Sequence, residues 1–200
     1  MFRYDSRLMR ALARVGDLVM INVMALLCCI PVITGGAALT AMYTCIFRMR
    51  KNREGYLYRG FFKAFKENFK QSTIIWLIVL ILALLLFLDY RIFSGIQGMA
   101  DILQILVLAV GIFIFLIVIY AFPMEAYFIN TVKTTIKNAV LTAILHLPYT
   151  LALGVINIGA FFIVSYFPVT FGLFLLLGLS GPAWISAFLL LKIFKGIPIK

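Results

Sequence analysis

Acidic residues, histidine and cysteine are all scarce in this 200-residue chain: Asp and Glu together number 7, His 1 and Cys 3. One histidine and three cysteines without ligand spacing exclude a histidine-rich metal site. No Gly-x-Ser-x-Gly, His-Glu-x-x-His or phosphate-binding Gly-x-x-x-x-Gly-Lys-Ser/Thr motif occurs, so no catalytic set is legible and no cofactor is implied. Asp17 and Glu125 are the acids that any intramembrane chemistry would have to use. The chain reads as non-enzymatic. Charge of either sign is also rare, at 12% of residues against 64% hydrophobic, with a mean hydropathy of +1.11. A soluble domain of this size could not hide that much apolar surface, so the solvent for most of the chain is lipid.

The charge that is present is basic, with 18 Lys and Arg and a net charge of +11. These residues flank apolar runs, which points to anionic lipid headgroups as partner and away from nucleic acid. Two hundred residues accommodate one all-α membrane domain of about four to six helices at roughly 20 residues each. The first apolar run is not read as a cleavable leader, because it continues through Pro31 and Gly35 without a small-x-small site. The vicinal Cys28 and Cys29, with Cys45, lie in apolar sequence and read as small packing residues.

Arg3, Arg7, Arg10 and Arg14 share one helical face of a basic N-terminal segment, residues 1–14, which Asp5 or Ser6 would cap. Residues 15–49 read as two short helices around a break at Pro31 and Thr34-Gly35-Gly36, with Thr34 as cap of the second. In that second helix Ala37, Ala41 and Cys45 recur every four residues, as do Gly36, Thr40 and Thr44, a pattern that lets helices approach closely in lipid. Residues 50–72 read as a basic amphipathic helix lying in the headgroup layer. There Tyr58, Phe62, Phe65 and Phe69 fall at steps of four, three and four, and Arg59, Lys63, Lys66 and Lys70 follow one residue behind. Residues 73–194 supply four apolar runs, about 73–88, 102–122, 139–167 and 169–191. His146, Pro148, Gly154 and Asn157 interrupt the third. Gly178-Leu179-Ser180-Gly181-Pro182 breaks the last, with Pro182 opening a new turn.

The Lys/Arg bias of the loops places Arg48 to Lys70, the loop with Lys133 and Lys137, and the tail with Lys192, Lys195 and Lys200 in the cytoplasm. The Asp89 to Asp101 connection and the turn near Pro168 then face outward. With the N-terminal arginines inside as well, the preferred count is six crossings with both termini cytoplasmic. Five crossings would put four arginines on the wrong side.

The stretch Ile30-Pro31-Val32-Ile33-Thr34-Gly35-Gly36-Ala37-Ala38-Leu39-Thr40-Ala41-Met42-Tyr43, followed by Phe61-Phe62-Lys63-Ala64-Phe65-Lys66-Glu67-Asn68-Phe69-Lys70-Gln71-Ser72, resembles the YesL-like family of small bacterial integral membrane proteins. Leu88-Asp89-Tyr90-Arg91 fits the same pattern. The family often carries a proline after its Thr-x-Gly element, where this chain has Gly36-Ala37. The resemblance implies no activity. It implies a context, an accessory role beside carbohydrate uptake systems of Gram-positive bacteria, with a carbohydrate ABC importer or a membrane sensor as the partner to look for.

Polar residues in lipid are costly, so each one needs a reason. Asp17 either binds a cation or pairs with a basic group in a pathway, or it sits at the interface beside Arg14 or caps the transmembrane helix; the structural reading is simpler. His146 is either a proton relay or a hydrogen-bonded packing residue, and again the second is simpler. Glu125 is expected to pair with Lys133, Lys137 or the amphipathic helix. The helix breaks carry the better functional reading. Backbone donors at Thr34, Gly35 and Gly36, and at Ser180 and Gly181, would suit an anionic or hydroxyl-rich ligand, as in transporters built on discontinuous helices. Two functions therefore compete. One is an accessory or regulatory protein that docks through Arg59, Phe62, Lys63, Phe65, Lys66, Phe69 and Lys70. The other is a small homo-oligomeric transporter or channel with a site between the two breaks.

Overall fold

Apolar runs broken by proline and glycine give helices and nothing else among the described residues of the computed structural model, which are 7–51, 56–93, 100–166 and 170–196. Eight α-helices follow in order: α1 (Arg7–Cys29), α2 (Gly35–Arg50), α3 (Leu57–Phe93), α4 (Ala100–Tyr127), α5 (Val132–Leu145), α6 (Leu147–Tyr166), α7 (Thr170–Leu177) and α8 (Ser180–Lys195). A short 3-10 turn, Val32–Thr34, joins α1 to α2. Five segments are long and apolar enough to cross a membrane: Ala11–Cys29, Val32–Arg50, Leu57–Ile92, Ile105–Tyr127 and Phe174–Lys195. Val132–Leu145 and Leu147–Ile163, bent by 102° at their junction, make a sixth if counted as one span. The chain is a polytopic helical membrane protein. The N-terminal residues 1–6, with Arg3 and the expected caps Asp5 and Ser6, lie outside the described residues.

Helix α2 is the axis of the bundle. Its small residues Gly35, Gly36, Ala37, Ala38, Thr40, Ala41 and Cys45 are all buried, and α1, α3, α4 and α8 pack around it. Gly36 shows why the small residues are there. A Cβ on it would meet the Ser72 carbonyl at 2.6 Å and Trp76 Cβ at 2.7 Å, so only glycine lets α2 and α3 come this close. At one end of the bundle the rings of Phe47, Tyr127, Phe128 and Phe194 cluster with centroids 4.8–6.2 Å apart. Arg50 ties α2 to α8 there: its guanidinium lies 4.3 Å from the Trp184 ring centroid and donates to the Trp184 carbonyl.

Three expectations change. The basic segment is no separate helix lying flat, because α3 runs unbroken through 37 residues. No proline or glycine interrupts residues 61–93, and at about 1.5 Å per residue α3 is roughly 55 Å long, well beyond a hydrocarbon core of about 30 Å. Its first turns therefore extend past the membrane-spanning part. Second, Thr34 does not cap α2 with its side chain. Its hydroxyl points back to the Cys28 and Pro31 carbonyls. Third, the run around His146 is two helices. Thr150, fully buried, holds their bend by donating to the Ala143 carbonyl at 2.9 Å and meeting the Tyr120 hydroxyl at 2.9 Å. Pro182 sits in the first turn of α8, two residues after its start.

Candidate functional site

The two helix breaks are occupied by the protein itself. Asn22 on α1 is fully buried and reaches the second break. Its Oδ1 accepts from the Leu179 and Ser180 N–H groups at 2.8 and 2.9 Å. Its Nδ2 donates to the Phe174 and Leu175 carbonyls at 3.1 and 2.9 Å. One side chain thus partners two carbonyls of α7 and two N–H groups at the start of α8 across their junction. At the first break Trp76 Nε1 donates to the Val32 carbonyl at 2.7 Å, and its indole presses on Gly35. Gly178, Leu179 and Pro182 do line a cavity of about 350 Å³, with Leu39, Tyr43 and Asn157 across from them. Thr34, Gly35, Gly36, Asp17 and His146 are not among its lining residues. The site residues read from the sequence are therefore not brought together: Asp17 is half-buried on α1, and His146 caps α5 at the bend through its backbone.

The amphipathic face fares differently. Phe61 and Ala64 are buried against the bundle, while Arg59, Lys63, Lys66 and Lys70 are exposed. Phe62 and Phe69 stand out beside them, 52% and 39% exposed. Phe65 belongs to the inner side, half-buried and stacked on Phe61 with the rings 17° apart. Lys63 and Glu67 form a 3.9 Å pair on the exposed surface, which adds little to stability. The basic face remains open.

Of the expected partners of Glu125, the lysines are not met, while the basic segment 50–72 does face it, through Ser72, Asn68 and Gln71. Glu125 is buried, 6% exposed, and makes no ion pair with Lys133 or Lys137, both of which are exposed. Its neighbours come from α2 and α3. Thr40 Oγ1 donates to Glu125 Oε2 at 3.3 Å, and Ser72 Oγ donates to Thr40 Oγ1 at 2.9 Å. Glu125 Oε1 is buried with no hydrogen-bond partner. The residue lines a polar cavity of about 240 Å³ shared with Thr44, Arg48, Glu67, Asn68, Gln71 and Asn130. Gln71 steadies one wall by donating to the Asn130 carbonyl at 2.8 Å. The signal for this site was available as polar residues at helix spacing, Thr40 and Thr44 on α2 with Asn68, Gln71 and Ser72 on α3, facing an acid after a proline. Among the described residues no group of His, Cys, Asp and Glu is placed to hold a metal ion, and the three cysteines are free.

Fold and site together define a multi-pass helical membrane protein with a buried acid at the junction of its central helices. Residues 18–90 match the family model described as "Protein of unknown function, DUF624". The match covers the second half of α1, all of α2 and most of α3, the helices that carry Asn22, Thr40 and Ser72. It bears out the family resemblance read from residues 30–43 and 61–72. A similar curated protein is the "Uncharacterized protein YteU" of Bacillus subtilis (strain 168), 20% identical over 110 residues, 55% of this chain and 50% of that relative. The chain thus spans about half the length of the curated relative it matches. No solved structure matches.

Proposed function

We propose that this chain is a non-enzymatic accessory or regulatory protein of the bacterial cytoplasmic membrane, with both termini cytoplasmic. It holds the anionic inner leaflet through the first turns of α3 and docks there a component of a carbohydrate uptake system, an ABC importer or a membrane sensor. The observation that carries this reading is the division of that segment into two faces: Phe61 and Ala64 seated in the bundle, Arg59, Lys63, Lys66 and Lys70 left open with Phe62 and Phe69. Basic side chains at an anionic surface gain about 1 kcal/mol each, and aromatic rings suit the headgroup level. The family resemblance supplies the carbohydrate context.

The alternative, a transporter or channel with its site between the helix breaks, draws less support. Asn22 already takes the donors of Leu179 and Ser180. Replacing Arg59, Lys63, Lys66 and Lys70 together with glutamine tests the accessory reading. Crosslinking in the native host followed by quantitative mass spectrometry should show partner recovery and anionic-lipid retention falling about tenfold or more, with membrane insertion unchanged. Full recovery of both from the variant refutes it.

A further inference from the structure

We propose that Glu125, with Thr40 and Ser72 behind it, binds a small monovalent cation of the alkali-metal class that enters through the polar cavity between α2, α3 and α4. The inference is independent of the docking role of the outer face of α3. It starts from an imbalance. Glu125 lies in the span Ile105–Tyr127, is 6% exposed, and has one carboxylate oxygen with no hydrogen-bond partner. Among the described residues Glu125 takes part in no ion pair, so no lysine or arginine neutralises it by contact. The charged groups facing the cavity, Arg48 and Glu67, are exposed at its open side. A buried carboxylate in that state is costly unless something outside the protein completes it.

The direction of the hydrogen bonds says what that something is. Ser72 donates to Thr40 and Thr40 donates to Glu125 Oε2, so the chain of hydroxyls treats the acid as an acceptor. A proton on Oε1 would remove the charge and is the competing occupant, which pH dependence separates from a cation. A water would satisfy a lone pair but leave the charge. A cation supplies both. The groups linked to Glu125 itself, the Thr40 and Ser72 hydroxyls, are oxygens, which suit a hard ion. Its one buried carboxylate balances a single positive charge, while Arg48 and Glu67 stay at the exposed side. Divalent ions draw on more carboxylates than this site offers. The 240 Å³ cavity, walled by Thr44, Asn68, Gln71 and Asn130, gives a hydrated approach.

The test uses the full chain purified in nanodiscs, at fixed pH and ionic strength, in chloride salts of sodium, lithium, potassium or N-methyl-D-glucamine. At least one alkali ion should raise the wild-type unfolding midpoint saturably over N-methyl-D-glucamine, by roughly 5–10 °C at a hundredfold excess over its dissociation constant. Glu125→Gln should be at least as stable as wild type in N-methyl-D-glucamine and show no alkali response. Thr40→Val, which keeps the acid, should need about tenfold more ion for half the shift and serves if Glu125→Gln fails to fold. Equal responses in wild type and Glu125→Gln, or no alkali response in wild type, overturn the proposal. A wild-type midpoint that moves with pH alone overturns it in favour of a bound proton.

Discussion

Asn22 offers the sharpest test of how this bundle is held together, because one side chain bonds four backbone groups of the α7–α8 junction. Asn22→Leu keeps a buried side chain of similar length and removes every hydrogen bond it makes. The Phe174 carbonyl would keep its bond from the Gly178 N–H at 2.8 Å. The Leu175 carbonyl and the Leu179 and Ser180 N–H groups would lose the Asn22 bonds at 2.9, 2.8 and 2.9 Å. At about 0.6 kcal/mol for an average hydrogen bond between membrane helices, the four lost bonds cost roughly 2.4 kcal/mol. If each orphan instead bears the penalty of a buried unsatisfied group, about 1–3 kcal/mol apiece, the loss exceeds roughly 3 kcal/mol. Either value is a large share of a typical stability. Reversible unfolding in mixed detergent micelles, followed by the fluorescence of Trp76 and Trp184, measures it directly. Val23→Leu, at an exposed neighbour on the same helix, is the control and should fall within about 0.5 kcal/mol of wild type. An Asn22→Leu protein that also falls within that margin would refute the view that Asn22 carries the junction.

The close contact between α2 and α3 makes a second stability prediction. Gly36→Ala should destabilise by about 1–3 kcal/mol or more, since its Cβ would lie 2.6 Å from the Ser72 carbonyl. Gly16→Ala, with nothing within 4 Å of the added Cβ, should be neutral or gain up to about 1 kcal/mol in helix propensity, and the pair can be compared in the same unfolding assay. Arg50→Lys should cost about 1 kcal/mol, because an ammonium cannot both stack flat on Trp184 and donate to its carbonyl. The Trp184 emission in a Trp76→Phe background should shift with it, and an unchanged spectrum would count against the stacking.

What can be read from the sequence is what a single helix shows about itself. The apolar runs, the breaks at Pro31 and Gly178 and the small face of α2 are patterns of neighbours along the chain, and all are present in the structure. The length of α3 is misread because a change from basic to apolar composition near residue 72 looks like a boundary. Only a proline or glycine there would have made it one. Glu125 is half misread for the opposite reason: the segment 50–72 is found beside it, the lysines are not. Lys133 and Lys137 are close in sequence and are the obvious partners, yet its contacts, Thr40 and Ser72, lie 85 and 53 residues away (the latter the difference of positions 125 and 72). Asn22 stands out as an interruption of an apolar run but gives no signal of its partners, because these are backbone groups more than 150 residues away, and a backbone carbonyl has no sequence signature. In lipid, though, a polar side chain must find a partner across the bundle or leave a buried group unsatisfied. Asn22, Thr40, Ser72 and Glu125 are polar residues within otherwise apolar helices, and all four are buried. Taken as a set, they mark the inward faces of α1 to α4 where the spacing of apolar residues does not, because lipid-facing and core-facing positions are equally apolar. Of the four, only Glu125 ends with an oxygen that the protein does not satisfy; the Ser180 hydroxyl at the second helix break shares that state, but Glu125 alone is an acid.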